Sequence, residues 1–510
     1  MSVPDRPARA GAALRLALFA LLHGVAGVVF TAVLAPVPAE ARRGDALGPS
    51  VVTVVVTAQA WDFGQPWSKA TPGTRVGAGV VVRGPNGLRL LTSAGLLTDA
   101  TLVRVMKNGS NVEAIAQIVH EDREQNLALI TVAEPDFYDD LQPVHFVKQA
   151  VVDGEITLLR WRGSQLETAV GRVSRPTVID TATGVADMVT LRVTADLSGG
   201  GGEPLFRRRE LVGVAVGKLG EELSVVPADH LRRWVAAAET DPRPWTGTLA
   251  LSVQSVRGQD MVRWLGLEEA RGLFITRVPT GSAACGLLRR GDVLLQVDGL
   301  ELDGDGNVAH PDYGRLYYEY LVGGRRAGER LPVRILREGK TLDLELELRA
   351  YTGAHLLIPS DTVEPPAFLM MGGLVFRELT DGTPTRSPEM RVVSTLSRDA
   401  ETVDRRRVII LSSVLPDPYN LGYHGEADRV VSKVNGQIID SIDDLVEAFK
   451  APREGFHVVE FLPNPGITEL VLDAAGLEAA TARIAAAYGV DSTLRLAAPP
   501  PPLGSCAAGG

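Results

Sequence analysis

The sequence predicts a mainly β protein, a barrel- or sandwich-type block followed by two smaller α+β modules. From Ser50 to about Val235, short Val/Ile/Leu/Thr runs are broken by Gly, Pro, Asn or Asp roughly every eight to twelve residues, the spacing of many short strands. Two later segments, 245–350 and 367–474, repeat one plan: an apolar strand, a Gly-bounded turn, and a strand ending in Asp-Gly or Asn-Gly. The length of 510 residues fits about three domains of 100–200 residues each.

In the first block Val51–Thr57, Gly79–Arg83, Leu88–Thr92 and Leu102–Met106 read as strands, and Asn108-Gly109 has the chemistry of a tight hairpin turn. Asn108-Gly109-Ser110 also matches a glycosylation acceptor, which the turn explains unaided. Asp229–Ala238 has helical spacing, and Asp241-Pro242-Arg243-Pro244 reads as a linker. Gly272–Ile275 leads to Gly291–Gly299 in the first module, and Arg407–Leu415 to Ala427–Gly436 in the second. A helix over Ser441–Phe449 has an N-cap serine and acidic residues in its first turn. A last helix over 475–497 precedes a Pro- and Gly-rich tail at 498–510, expected to be disordered.

Composition removes several classes of function. Against 62 acidic side chains stand 52 basic ones; the net charge of −10 disfavours a nucleic-acid partner, and none is expected. Charged residues at 22% and hydrophobic ones at 45% exclude global disorder and a multi-span membrane protein. Two cysteines cannot build a disulfide framework or a Cys-rich zinc site. Cys285 in an apolar stretch and Cys506 in a Gly/Ala tail are not expected to pair. No metal or cofactor motif stands out.

The N-terminus sets the compartment. Arg6, Arg9 and Arg15 precede an apolar run, Leu16 to Ala35, then Ala39-Glu40-Ala41. That order reads as an export signal, residues 1–41, removed after Ala41. Its rival is an uncleaved membrane anchor through residues 16–35, since about 20 apolar residues span a bilayer. Either places the body outside the cytoplasm, in a periplasmic or other extracytoplasmic space.

Gly291-Asp292-Val293-Leu294-Leu295-Gln296-Val297-Asp298-Gly299, preceded by Gly281-Ser282-Ala283 and Gly286-Leu287, resembles the signature of a PDZ domain. Gly77-Ala78-Gly79, Leu91-Thr92-Ser93-Ala94, Leu127-Ala128-Leu129-Ile130 and Pro204-Leu205-Phe206, in that order, resemble the HtrA/Deg serine proteases. Tyr317–Val322, Gly373–Thr380 and Leu411–Tyr423 resemble the plant-type members with two PDZ domains. The resemblance implies a trypsin-like double β-barrel over 50–235, a first PDZ domain over 245–350 and a divergent second over 367–474. It also implies homo- or hetero-oligomers with Deg-type subunits.

The catalytic positions depart from that family's pattern. Its chemistry needs a serine, a histidine to take the proton and a carboxylate to orient the histidine. The motif order puts Gly95 in the histidine's place, Asn126 in the aspartate's and Gly201 in the serine's. Ser198 lies three residues upstream of the expected serine, and His120, His145 and His230 follow no matching motif. The resemblance therefore implies a pseudoprotease. An endopeptidase with an unconventional site is the alternative, and a structural subunit of a Deg hetero-oligomer a third. Backbone N–H groups of Gly199, Gly200 and Gly201 could keep an oxyanion-type loop, or that loop could be a surface turn released from its old geometry. No Lys-Ser/Thr follows the run, so it is no phosphate-binding loop.

Other motifs read as structure. Asp303-Gly304-Asp305-Gly306-Asn307 starts like a calcium loop but has Val308 and Gly314 where Gly and Glu are required, so a turn is expected. Arg207–Arg209, Arg405–Arg407, Glu121-Asp122 and Asp139-Asp140 are expected to be solvated surface charge. In the first PDZ segment, Thr246, Gly247, Thr248, Leu249, Ala250 and Leu251 match the carboxylate-binding loop and its strand. Met261–Leu267 resembles a helix beside the groove. Unfolded or C-terminal peptide segments, added as a strand at the sheet edge, are the partners this implies. The second segment lacks such a loop and reads as a scaffold.

Overall fold

The computed structural model describes residues 46–107, 109–180, 187–195, 199–241, 243, 248–279, 281–350, 357–359, 364–380, 407–462 and 466–497. The expected signal or anchor, Asn108, Ser198, Thr246, Gly247, Arg405, Arg406 and the 498–510 tail lie outside them.

The first six strands are β1 (Val51–Ala58), β2 (Gly73–Gly84), β3 (Gly87–Thr92), β4 (Ala100–Lys107), β5 (Ala114–Asp122) and β6 (Leu127–Val132), with a one-turn helix α1 (Ala94–Leu97) after β3. They form a closed barrel in the order β1-β2-β3-β6-β5-β4, which leaves no open edge. Strand alternation fills it: Val52, Val54 and Val56 point into a core with Leu90, Val105 and Ile130. Val51, on the other face of β1, joins a second core that also holds Leu159, Phe206 and Val214.

After the short β7 (His145–Phe146) come β8 (Gly154–Arg162), β9 (Gln165–Asp180), β10 (Asp187–Ala195), β11 (Pro204–Arg207), β12 (Glu210–Leu219) and β13 (Glu222–Pro227). Their order is β11-β8-β9-β10-β13-β12, and pairing of β11 with β12 closes a second six-stranded barrel. β7 is added outside it, parallel to β12. Helix α2 (Ala228–Ala237) buries His230, Leu231, Trp234 and Val235 on one face. Leu231, Trp234 and Val235 fill the core shared by both barrels. The indole N–H of Trp234 donates to Asp122 Oδ2 at 3.0 Å, and the amide of Gln125 donates to Oδ1. Asp122 is thus an internal acceptor and not the solvated charge expected from sequence; burial raises its pKa.

The third unit contains β14 (Ser252–Ser255), α3 (Gln259–Leu265), β15 (Leu273–Arg277), β16 (Val293–Val297), β17 (Leu300–Glu301), β18 (Asn307–His310), β19 (Gly314–Tyr317), α4 (Tyr320–Gly323), β20 (Arg330–Arg337) and β21 (Lys340–Glu347). Its sheet runs β14-β15-β16-β20-β21. The β18–β19 hairpin ties it to the second barrel: Tyr313 and Leu316 enter that barrel's outer core, and the Tyr313 hydroxyl donates to Asp229 of α2. Arg326, 5% exposed, donates to the carbonyls of Asp241 and Arg243 and so pins the linker.

The fourth unit holds β22 (Phe368–Met371), β23 (Leu374–Glu378), β24 (Ile409–Val414), β25 (Arg429–Val434), β26 (Gln437–Ile438), α5 (Ile442–Ala448), β27 (Phe456–Phe461), β28 (Glu469–Asp473), α6 (Leu477–Tyr488) and β29 (Leu494–Arg495). The order β23-β24-β25-β27-β28 repeats that of β14-β15-β16-β20-β21, so the internal likeness read from sequence is a topological one. Ser441 caps α5 by accepting from the Asp444 amide at 3.1 Å, as its sequence predicts. Two strands have no counterpart in the third unit: β22 pairs with β23, and β29 with β22. The β1–β2 loop reaches this added edge. Trp67 meets Phe368 at 6.0 Å, and the Arg495 guanidinium lies 4.7 Å from the Trp61 ring and donates to the Pro66 carbonyl at 2.8 Å.

Candidate functional site

Asn126, Gly95 and the glycine loop come together between the barrels. Asn126 follows β5 in a left-handed turn with φ +52°. Its Oδ1 accepts the Gly95 amide at 2.7 Å and lies 2.9 Å from Ser93 Oγ, and its Nδ2 donates to the Val216 carbonyl of β12 at 2.8 Å. One amide side chain therefore joins the β3–α1 turn of the first barrel to the wall of the second. The glycine loop is held between β2 and β12: the Gly201 carbonyl accepts the Ala78 amide at 3.0 Å, and the Gly202 amide donates to the Ala215 carbonyl at 2.9 Å. A Cβ on Gly202 would lie 2.4 Å from Thr92 Oγ1 and 2.2 Å from the Ala78 carbonyl, so only glycine fits there.

Within this crevice the positions that motif order sets against the family's histidine and serine, Gly95 and Gly201, carry no side chain, and Asn126, set against its aspartate, carries an amide. Space is not the reason. A Cβ on Gly201 would find its nearest neighbour at 3.5 Å, and one on Gly95 at 3.3 Å. The three histidines considered from sequence are engaged elsewhere. His120 packs on Trp234, with ring centroids 5.5 Å apart. His145 sits exposed on β7. His230 is buried in α2, where burial lowers its pKa to about 4.

Sequence reading missed Glu203. Its carboxylate, 4% exposed, turns back into its own loop, and Oε2 accepts the amides of Gly200 at 2.7 Å and Gly201 at 2.9 Å. Two of the three amides expected to form an oxyanion-type loop thus already hold an anion. The charge also orders a loop whose glycines would otherwise be costly to fix. The available signal was an acid at the position before Pro204, where the family's string has glycine.

The third unit has a different opening. Among the described residues β14 has only β15 as a ladder partner, so its other edge is open. The segment leading into it is tightly held. Leu249 is fully buried in the module's core, and Ala250, at φ +55°, donates its amide to Thr248 Oγ1 at 2.7 Å. Leu251 and Val253 pack partly on the same core, whose buried members include Val322 of α4. Helix α3 covers the opposite sheet face, with Phe274, Val293 and Leu336. The helix on the Leu249 side is therefore α4 and not the Met261–Leu267 segment, because alternate residues of β15 serve different faces. In the fourth unit the equivalent edge, on β23, is filled by β22.

The turn at Asp303 is a turn in the structure as well. Asp303 Oδ1 accepts the amides of Asp305 and Asn307, and Oδ2 pairs with Arg315 at 2.7 Å. Cys285 departs from expectation, for it is disulfide-bonded. The sequence holds one other cysteine, Cys506, outside the described residues.

Two closed six-stranded barrels of trypsin-like type followed by modules of PDZ topology define the class of protein. A PDZ-domain family profile matches residues 358–494, taking in α6 and β29 beyond the 474 boundary read from sequence. Protease Do-like 2, chloroplastic, of Arabidopsis thaliana is 26% identical over 87% of this chain and 74% of its own length. Putative protease Do-like 13 of the same organism is 24% identical over 78% of this chain and 79% of its own. Among solved structures, the HtrA-type protease AlgW with decapeptide aligns over 61% of this chain and 98% of its own, at 19% identity and a TM-score of 0.44. Over most of its length the chain is similar to the HtrA/Deg proteases with PDZ domains.

Proposed function

We propose that this protein is an exported, non-catalytic member of its family, a scaffold that binds peptide or protein segments through its first PDZ domain. The observation that carries the reading is the inter-barrel crevice. Gly95, Asn126 and Gly201 supply no nucleophile, base or orienting carboxylate, and Glu203 occupies the amides that would polarise a carbonyl. Binding falls to the open edge of β14, where an extended chain adds backbone hydrogen bonds; unfolded segments and C-terminal peptides have that form. The second PDZ domain, its edge filled by β22 and its added strands fastened to the first barrel, acts as a structural module. Assembly with itself or with Deg-type subunits is part of the proposal. A disulfide-bonded Cys285 suits the oxidising, extracytoplasmic compartment that the N-terminal segment implies. No helix among the described residues is long and apolar enough to cross a membrane. The alternative to a cleaved export signal is a membrane anchor through residues 16–35.

Casein digestion by the purified protein, run beside labelling with a serine-directed fluorophosphonate, tests the reading. No turnover and no label are expected. Robust turnover abolished by Ser198→Ala would overturn it.

A further inference from the structure

A second crevice between the barrels has no part in the site above. Its cavity of about 510 Å³ is bounded by Arg83 at the end of β2 and Pro85 of the β2–β3 turn, by β7 and its flanks, by Glu210 at the start of β12, and by α2. The apolar lining is Val144, Phe146, Val235 and Ala236. Around it stand three fixed cations, Arg83, Lys148 and Arg232, with the exposed His145 beside them. Among the described residues none of those three has an ion-pair partner, although Glu210 lines the same cavity with its own carboxylate unpaired. Arg232 is held in place by donating to the Val147 carbonyl. The neighbouring hairpin turn adds Arg208 and Arg209, two of the basic triplet Arg207–Arg209 that reads from sequence as plain surface charge.

In a chain of net charge −10, three cations line this one cavity against a single carboxylate, Glu210. Guanidinium groups match the planar oxygens of phosphate and carboxylate, and a lysine adds a mobile point charge. The cavity exceeds what a bare oxyanion fills, and its walls are apolar behind a cationic rim. A few convergent polar groups over an apolar wall is the usual composition of a small-ligand site. We infer that this crevice binds a phosphate monoester with an apolar or aromatic body, the phosphate at Arg83, Lys148 and Arg232 and the body on Val144, Phe146 and Val235. A soluble ester and the exposed headgroup of phosphatidic acid share that chemistry.

Isothermal titration of the full chain with phenyl phosphate, inorganic phosphate and phenol tests the site. Phenyl phosphate is expected to bind one to one and more tightly than inorganic phosphate, phenol is expected not to bind, and affinity should fall as salt rises. Arg83→Gln with Lys148→Gln, both exposed positions, should weaken phenyl phosphate about tenfold or more, since each charged hydrogen bond is worth about a factor of ten. Glu210→Gln removes the one carboxylate of the lining and should tighten binding by about threefold, a gain that a misfolded variant cannot produce. Sedimentation with phosphatidic acid vesicles, against phosphatidylcholine vesicles, separates the sources. Retention lost in the double variant assigns a lipid headgroup, and no retention with phenyl phosphate binding intact assigns a soluble ester; both support the site. Absence of phenyl phosphate binding, equal affinity for inorganic phosphate, or binding undiminished in the double variant overturns it.

Discussion

At the scale of single residues, the crevice between the barrels turns on one carboxylate. Glu203 is buried and its Oε2 holds two backbone amides, so Glu203→Ala leaves those donors without an acceptor. The expected loss is about 2 kcal/mol, read as a shift of the urea midpoint at unchanged slope. The same contact sets an order for rebuilding the site. Gly95→His and Gly201→Ser have room for a Cβ, and Asn126→Asp exchanges the donor facing the Val216 carbonyl for an acceptor, yet the triple variant should remain inert to the fluorophosphonate whatever its packing. Labelling should begin only when Glu203→Gly also releases the amides; equal labelling with and without that fourth change refutes the role given to Glu203. The sequence pointed to Gly95, Asn126 and Gly201 through the order of their neighbours, Leu91-Thr92-Ser93, Leu127-Ala128-Leu129 and Pro204-Leu205, and the structure brings these three positions to one crevice. The sequence could not reveal the inward turn of Glu203. That turn depends on backbone angles such as φ +108° at Gly200, and no side-chain pattern encodes them.

Among the elements, α2 joins the two barrels through Leu231, Trp234 and Val235, and carries His230 into the interior. Burial lowers the His230 pKa from 6.5 to about 4, so below pH 6.5 the unfolded chain takes up a proton that the folded chain refuses. Its contribution is complete above pH 6.5 and is lost as the pH falls toward 4, a total of about 3 kcal/mol. Asp122, with a raised pKa, works in the opposite direction, so the comparison must be between proteins. Urea unfolding of wild type and His230→Leu between pH 7 and pH 4.5 should give a shallower decline in the variant; parallel declines would refute the assignment. Elements with a strong period were readable: β1, β3, β4, α2 and α5 lie within a few residues of their predicted ranges. The strands β22 and β29 were not, because runs of four and two residues carry too little alternation to name a partner.

For the molecule as a whole, the architecture gives the two PDZ-like modules unequal edges. The first keeps an open edge while its β18–β19 hairpin is sunk in the second barrel; the second closes its edge and is anchored to the first barrel by Trp61, Trp67 and Arg495. Arg495→Ala removes a hydrogen bond and the stacking on Trp61 and Phe368. Faster amide exchange is expected in β22 and β29, with β14 unaffected; unchanged exchange in β22 would show that Arg495 does not hold the added strands. The double barrel and repeated module followed from turn spacing and motif order, whereas the docking of one unit on another depends on side chains far apart in sequence.

The Arg495–Pro66 contact spans 429 residues, and it fixes a sequence of events during synthesis. Barrel strands β1 to β6 can close on each other soon after leaving the ribosome, but β22 has no outer neighbour until residues 494 and 495 emerge. Until then a bare strand edge and a loop of exposed tryptophans await the last segment, a state open to wrong pairing between nascent chains. A chain lacking β29 would therefore present a strand edge on β22 that this fold covers.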